Sequence, residues 1–216
     1  MKKEKKPSVL LHSCCGPCSS SVMEKLCEDF EITVFFYNPN ITDGSEYEKR
    51  KAAQLLCIEK FNESIAADVD QAEKAKVDFI EGKYEPQAFC EASAGLEDEP
   101  EGGKRCTECF RLRLERTAQI AKRDGFDCFA TTLTVSPHKN YQLIKEIGEK
   151  TAEKHDVEFL DRDFKKKDGF KRSIELSREY GLYRQNYCGC DFAKNLTECI
   201  RNEGEKNVKT DYSKGL

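Results

Sequence analysis

Three groups of closely spaced cysteines carry most of the chemistry in this chain: Cys14-Cys15-Gly16-Pro17-Cys18, Cys106-Thr107-Glu108-Cys109 and Cys188-Gly189-Cys190. The first lies at the predicted start of a helix, whose partial positive charge favours thiolate over thiol, so it reads as a reactive or ligating site rather than core filler. Cys106 and Cys109 fall one helical turn apart on one face, a chelating separation. Between Cys188 and Cys190 a glycine lets the backbone wrap tightly around a metal or cluster. Together the three groups supply more sulfurs than one tetrahedral zinc ion takes, and enough for an iron–sulfur cluster plus a second metal. Cys27, Cys57, Cys90, Cys128 and Cys199 stand singly in predicted helices or strands, where cysteine behaves as a small buried hydrophobe. The chain has three histidines, His12, His138 and His155, too few for a histidine-dominated site; His12 is nearest the first cysteine group.

The elements around these groups alternate. Val9–His12 reads as a short buried strand, followed by a turn through Gly16-Pro17 and a helix from about Ser19 to Glu28. Ile32–Tyr37 is β-branched and aromatic and stops at Asn38-Pro39-Asn40, and 45–61 reads as a long charged helix. A weaker strand is expected at 65–69, a helix at 71–81, a central strand at 127–134, a helix at 141–154 and a last strand at 157–160. Such alternation predicts an α/β fold, a parallel sheet with helices on both faces. Ligands on such sheets bind at the carboxyl ends of the strands, where the loop after Leu11 belongs.

Composition narrows the class further. The chain has 216 residues, enough for one α/β domain over about 9–200 with an N-terminal tail at 1–8 and a loose C-terminal stretch at 201–216. With 36 basic and 40 acidic residues, the net charge of −4 excludes a uniformly basic nucleic-acid coat. Two segments are locally basic, 104–123 and 161–184, while 91–103 is acidic and reads as an exposed loop. No apolar run approaches a membrane span and no secretory leader is legible, which predicts a cytoplasmic protein with no membrane partner. In that compartment twelve cysteines point to metal or redox work.

Two other interpretations start from the same loop. Cys15-Gly16-Pro17-Cys18 after a strand is the CxxC pattern of thioredoxin-like thiol–disulfide oxidoreductases, although that reading leaves Cys14 and the other cysteine pairs without a task. A zinc-stabilised, non-catalytic nucleic-acid-binding protein, a tRNA binder under the resemblance described next, would use four of the clustered sulfurs. A nucleotide site fits poorly, because Gly16 stands beside Pro17, which has no amide hydrogen to offer a phosphate.

Beyond the cysteines, a joint pattern carries a resemblance: Leu10 through Cys18, Tyr37-Asn38-Pro39-Asn40-Ile41, Glu46-Tyr47 with Arg50, Cys106-x-x-Cys109, Thr131-Thr132-Leu133 with Ser136-Pro137, and Tyr183 through Cys190. It resembles the QueH-type epoxyqueuosine reductases, which complete queuosine in tRNA without cobalamin, over about Val9 to Phe192. The resemblance implies a fold like the adenine nucleotide α-hydrolases (Rossmann-like), with cysteines replacing the nucleotide loop. It further implies a 4Fe–4S cluster and an additional mononuclear iron held by cysteine and a carboxylate, where the epoxide is reduced to an alkene. Cys14, Cys15, Cys18, Cys106, Cys109, Cys188 and Cys190 would share out these metals, with Cys14, Cys15 and Asp163 at the reacting position. Asp163 is chosen because it follows the last predicted strand; Asp191 is the alternative. A queuosine-type tRNA would meet Lys165, Lys166, Lys167, Lys171 and Arg172 through its phosphates, stack its modified base on Tyr183 or Tyr187, and offer polar groups to Arg184 and Gln185. Reduction also requires an electron donor of low potential, which the sequence does not identify.

Overall fold

The computed structural model describes residues 5–67 and 76–192. Cys199 and the C-terminal stretch from 193 therefore lie outside the described residues, as do 1–4 and residues 71–75 of the expected helix at 71–81. The chain opens with β1 (Ser8–His12), α1 (Gly16–Leu26), β2 (Glu31–Phe36) and the long α2 (Gly44–Ala67). Beyond residue 76 come β3 (Asp78–Glu81), α3 (Pro86–Ala92), α4 (Lys104–Asp124), β4 (Cys128–Thr131), a 3-10 turn at Thr132–Val135, α5 (Tyr141–His155), β5 (Glu158–Phe159) and α6 (Gly169–Glu179).

The five strands form one parallel sheet in the order β3-β2-β1-β4-β5, a Rossmann-like α/β arrangement. Alternation along the central strands sorts the core into two layers. Val9 and Leu11 point to the face covered by Val22, Met23 and Leu26 of α1 and by Cys57, Ile58 and Phe61 of α2. Leu10 and Phe129 point to the other, against Leu114 and Ala118 of α4 and Ile144 of α5. Burying one such side chain contributes about 1.5–3 kcal/mol, so the two layers fix β1 at the centre of the sheet. β1 and β4 are neighbours whose connections leave in opposite directions, and the crevice at their carboxyl ends is where α/β sheets bind ligands.

Several boundaries differ from expectation. α2 runs on to Ala67, so the strand expected at 65–69 does not begin at Ile65, which is a buried helical residue. Ile58, Phe61 and Ile65 recur at helical spacing, and that periodicity carries the helix on. Residues 78–81, placed in a helix, form β3, an edge strand whose outer residues Asp78 and Glu81 are exposed, leaving Phe79 and Ile80 as a very short apolar signal. β4 ends at Thr131, whose hydroxyl oxygen accepts the Leu133 N–H at 3.1 Å and turns the chain into the 3-10 segment. The acidic stretch 91–103 is tied down: the buried Arg105 Nη1 donates to the carbonyls of Leu96 and Glu97, both at 2.9 Å, and to that of Glu99. Cys27, Cys57 and Cys128 are buried as expected of lone cysteines, whereas Cys90 is exposed.

Candidate metal centre

Cys14, Cys15 and Cys18 meet at the carboxyl end of β1 and the first turn of α1. Pro17 in that first turn needs no hydrogen-bond partner for its nitrogen. Gly16 is required by a close approach: a Cβ there would lie 2.4 Å from the Ala53 carbonyl oxygen of α2. The three sulfurs all lie within 4.8 Å of one another and, among the described residues, are the one such group of three or more metal-ligating side chains. Cys14 and Cys15 sulfurs are 3.9 Å apart, and Gln185 Nε2 donates to the Cys15 sulfur at 3.0 Å. Hydrogen bonds from Cys15 and Cys18, with Lys139 and Arg113 nearby, hold the Cys14 thiol well below its ordinary range against burial. The same contact with Cys14, together with burial, pushes Cys15 up to about 11, and Cys18 is raised well above its ordinary value by its hydrogen bonds to both neighbours. The triad thus favours thiolate at Cys14 over its two neighbours and can hold a metal ion.

The other four sulfurs gather beside it. Cys106, Cys109, Cys188 and Cys190 line one small cavity with Arg105, Phe110, His138 and Lys139. Cys106 lies in the first turn of α4, where its sulfur accepts the Gly102 N–H at 3.2 Å, and Cys109 follows one turn later, buried, its thiol pushed up to about 12 by that burial. Cys188 and Cys190 arrive on the strap that follows α6. Arg50 of α2 clamps this strap, Nη1 donating to the Cys188 carbonyl at 3.0 Å and Nη2 to that of Tyr187 at 3.2 Å, while Thr42 N–H reaches the Gly189 carbonyl at 3.4 Å. Gly189 has φ +107°, a conformation that disfavours any side chain, and a Cβ there would stand 2.9 Å from Arg50 Nη1. These four sulfurs are more widely spaced than the triad. Cys188 also lines a larger cleft of about 410 Å³ shared with Cys14, Cys18, Arg50, Arg113, Lys139, Arg184, Gln185 and Tyr187, so the two sulfur groups adjoin.

Not every expected residue reaches this centre. Asp163 lines neither cavity; its Oδ1 accepts the Lys165 N–H at 3.2 Å and closes its own turn. Asp191 is exposed and also outside both, whereas Glu101 lines both. His12 is fully buried, with Nε2 3.1 Å from the Tyr37 carbonyl and Nδ1 2.9 Å from the Thr131 hydroxyl. A carbonyl can only accept, so Nε2 carries the proton and Nδ1 accepts, and burial drives the ring pKa down to about 3. His12 is a neutral brace between β1, β2 and β4. Arg184 and Gln185 border the cleft, Arg184 Nη1 donating to Ser177 Oγ at 2.7 Å. Tyr187 lines it beneath Arg50, while Tyr183 is exposed with its hydroxyl on Glu46 at 2.8 Å. Lys165 Nζ donates to the Lys139 carbonyl at 3.1 Å; Lys166 and Lys171 are exposed on the segment that leads into α6 and on α6 itself.

Arg113 and Lys139 are site residues that the motif reading missed. Arg113 follows Cys109 by four residues, the spacing that puts two side chains on one helix face, and that signal was present. Lys139 immediately precedes Asn140, the N-cap of α5, in the loop that leaves β4 at the switch point of the sheet.

Comparison with known proteins agrees with this geometry. The family model described as epoxyqueuosine reductase QueH matches residues 9–196. Among curated relatives carrying that description, one from Staphylococcus epidermidis is 44% identical over 190 residues, covering 87% of this chain and 76% of its own. One from Streptococcus pyogenes serotype M1 is 42% identical, covering 90% and 73%, and one from Thermotoga maritima is 38% identical, covering 86% and 90%. A match spanning the sheet, the cysteine triad, the α4 pair and the strap places the chain in a known group: it belongs to the QueH family of epoxyqueuosine reductases.

Proposed function

We propose that this chain reduces the epoxide of epoxyqueuosine, in the anticodon of a tRNA in the cytoplasm, to the alkene of queuosine, using a 4Fe–4S cluster and an additional iron. The observation that carries the reading is the convergence of three separate cysteine motifs into two adjoining sulfur groups at the carboxyl ends of β1 and β4. Cys14, Cys15 and Cys18 are close enough together for a single ion and would hold the iron. Cys106, Cys109, Cys188 and Cys190 surround a small cavity and would hold the cluster. When bound, these groups supply electrons one at a time and a Lewis acid for the C–O bond. A carboxylate ligand from Asp163 requires its turn to open, whereas Glu101 already lines both cavities.

The reaction removes the epoxide oxygen as water, consuming two electrons and two protons and leaving a carbon–carbon double bond. The chain's own residues prepare the cleft for it. Its volume, about 410 Å³, suits a nucleoside-sized group, and Arg50, Arg113, Lys139 and Arg184 outnumber Glu101 there, which favours an anionic strand. Gln185 donates to Cys15 and keeps a buried Oε1 with no partner among the described residues, free to accept from a polar group of the substrate. Tyr187 offers a face at the cleft wall for a splayed base, and Tyr183 one at the surface. Lys165, Lys166 and Lys171 would meet the RNA backbone beyond the cleft.

The test is direct. Anaerobically prepared, metal-loaded protein with a low-potential chemical reductant is incubated with tRNA carrying epoxyqueuosine, and the digested nucleosides are weighed by mass spectrometry. Loss of one oxygen mass, abolished in Cys14→Ala, is expected; unchanged epoxyqueuosine with full metal content would defeat the reading.

A further inference from the structure

Two cations in the cleft lack a carboxylate partner. Arg113 is 1% exposed; its Nε donates to the Cys109 carbonyl at 3.2 Å, and its Nη2 has no hydrogen-bond partner among the described residues. Lys139 is half-buried and lines both cavities. Neither makes an ion pair among the described residues, whereas Arg50 in the same cleft is paired with Glu46 at 2.7 Å. A guanidinium withdrawn from water without an anion is costly, and a second cation near enough to repel it adds to the cost. The groups placed to answer them are the cysteine sulfurs, which are anionic when they hold a metal. Arg113 stands one helical turn after Cys109, whose carbonyl it holds, and lines the cleft with Cys14, Cys18 and Cys188; Lys139 lines both that cleft and the small cavity of Cys106, Cys109, Cys188 and Cys190. Both cations therefore face both sulfur groups at once.

Resting on the reading of a reducible iron–sulfur centre, we infer that Arg113 and Lys139 are the fixed counter-charge of that centre and set its reduction potential. They are positioning residues that act through their field. Each electron added makes the centre more negative, so nearby cations favour the reduced form, most strongly where water is excluded. The same two charges allow several thiolates to stand together in one small volume.

The experiment is an anaerobic redox titration of the metal-loaded protein followed by EPR, with iron and sulfide measured on the same samples. Lys139→Met should make one-electron reduction harder by about tenfold in equilibrium constant, which is about 59 mV for one electron. Lys139→Arg, which keeps the charge, should return most of that shift, an outcome that loss of packing alone does not produce. Arg113→Met should move the potential the same way; because that side chain is buried in the fold, Lys139 serves as the variant that decides the question if Arg113→Met does not fold. A Lys139→Met protein with unchanged metal content and an unshifted potential overturns the inference while leaving the proposed function standing. A wild-type protein with no reducible iron–sulfur signal overturns both.

Discussion

Arg50→Met isolates the clamp that brings Cys188 and Cys190 to the site. Methionine keeps much of the length of arginine, so what is lost is polar. Arg50 is 1% exposed and spends its guanidinium on Glu46 Oε1 at 2.7 Å and on the carbonyls of Cys188 at 3.0 Å and Tyr187 at 3.2 Å. Without it Glu46, 5% exposed, keeps the Tyr183 hydroxyl at 2.8 Å but no cation. Removing one side of a buried ion pair costs about 3–5 kcal/mol, chiefly because the other charge stays buried. We expect Arg50→Met to lose that much in urea denaturation of the reduced apoprotein, followed by far-ultraviolet circular dichroism. The double variant Glu46→Gln/Arg50→Met removes the stranded charge and should recover about 1–2 kcal/mol of the loss. A single variant that loses less than about 1 kcal/mol, or a double variant no more stable than the single, contradicts the clamp.

Two further predictions concern the frame of the site. Gly16→Ala would place its Cβ 2.4 Å from the backbone oxygen of Ala53, which cannot rotate away, so α1 must part from α2 at a cost of about 1–3 kcal/mol; an unaltered melting temperature would refute this. On the far side of the sheet, burial pushes the Glu115 carboxyl up, but hydrogen bonds from Lys154 and His155 hold it below its ordinary range. A depressed carboxyl contributes stability that is present above the unfolded value of about 4.3 and is lost as pH falls through the folded one. The stability deficit of Glu115→Gln should therefore be seen near neutral pH and shrink in acid, and a deficit constant across urea titrations from about pH 7 to about pH 3 would show that the ion pairs contribute nothing.

Much of the site was legible because its signals are local. The strand–loop–helix around Cys14 to Cys18 and the one-turn spacing of Cys106 and Cys109 depend on neighbours within a few residues, and both stand where the pattern put them. What brings the strap to α2 is tertiary: Arg50 reaches carbonyls more than a hundred residues away, and no spacing rule reports that. Asp163 shows the opposite limit. It follows β5, as expected, but its side chain turns back to its own backbone, a choice of rotamer that the sequence does not state. β3 was missed because an edge strand with charged ends carries almost no alternation, while the neighbouring α2 carried its apolar repeat beyond the expected end.

The most direct test of the metal centres is the iron and acid-labile sulfide content of protein purified without oxygen, read with its visible spectrum. Two sulfur groups holding a cluster and a separate iron predict about five irons and about four sulfides per chain, with a brown chromophore that bleaches on reduction. Stoichiometric zinc without sulfide, in protein that still converts epoxyqueuosine, would contradict the account.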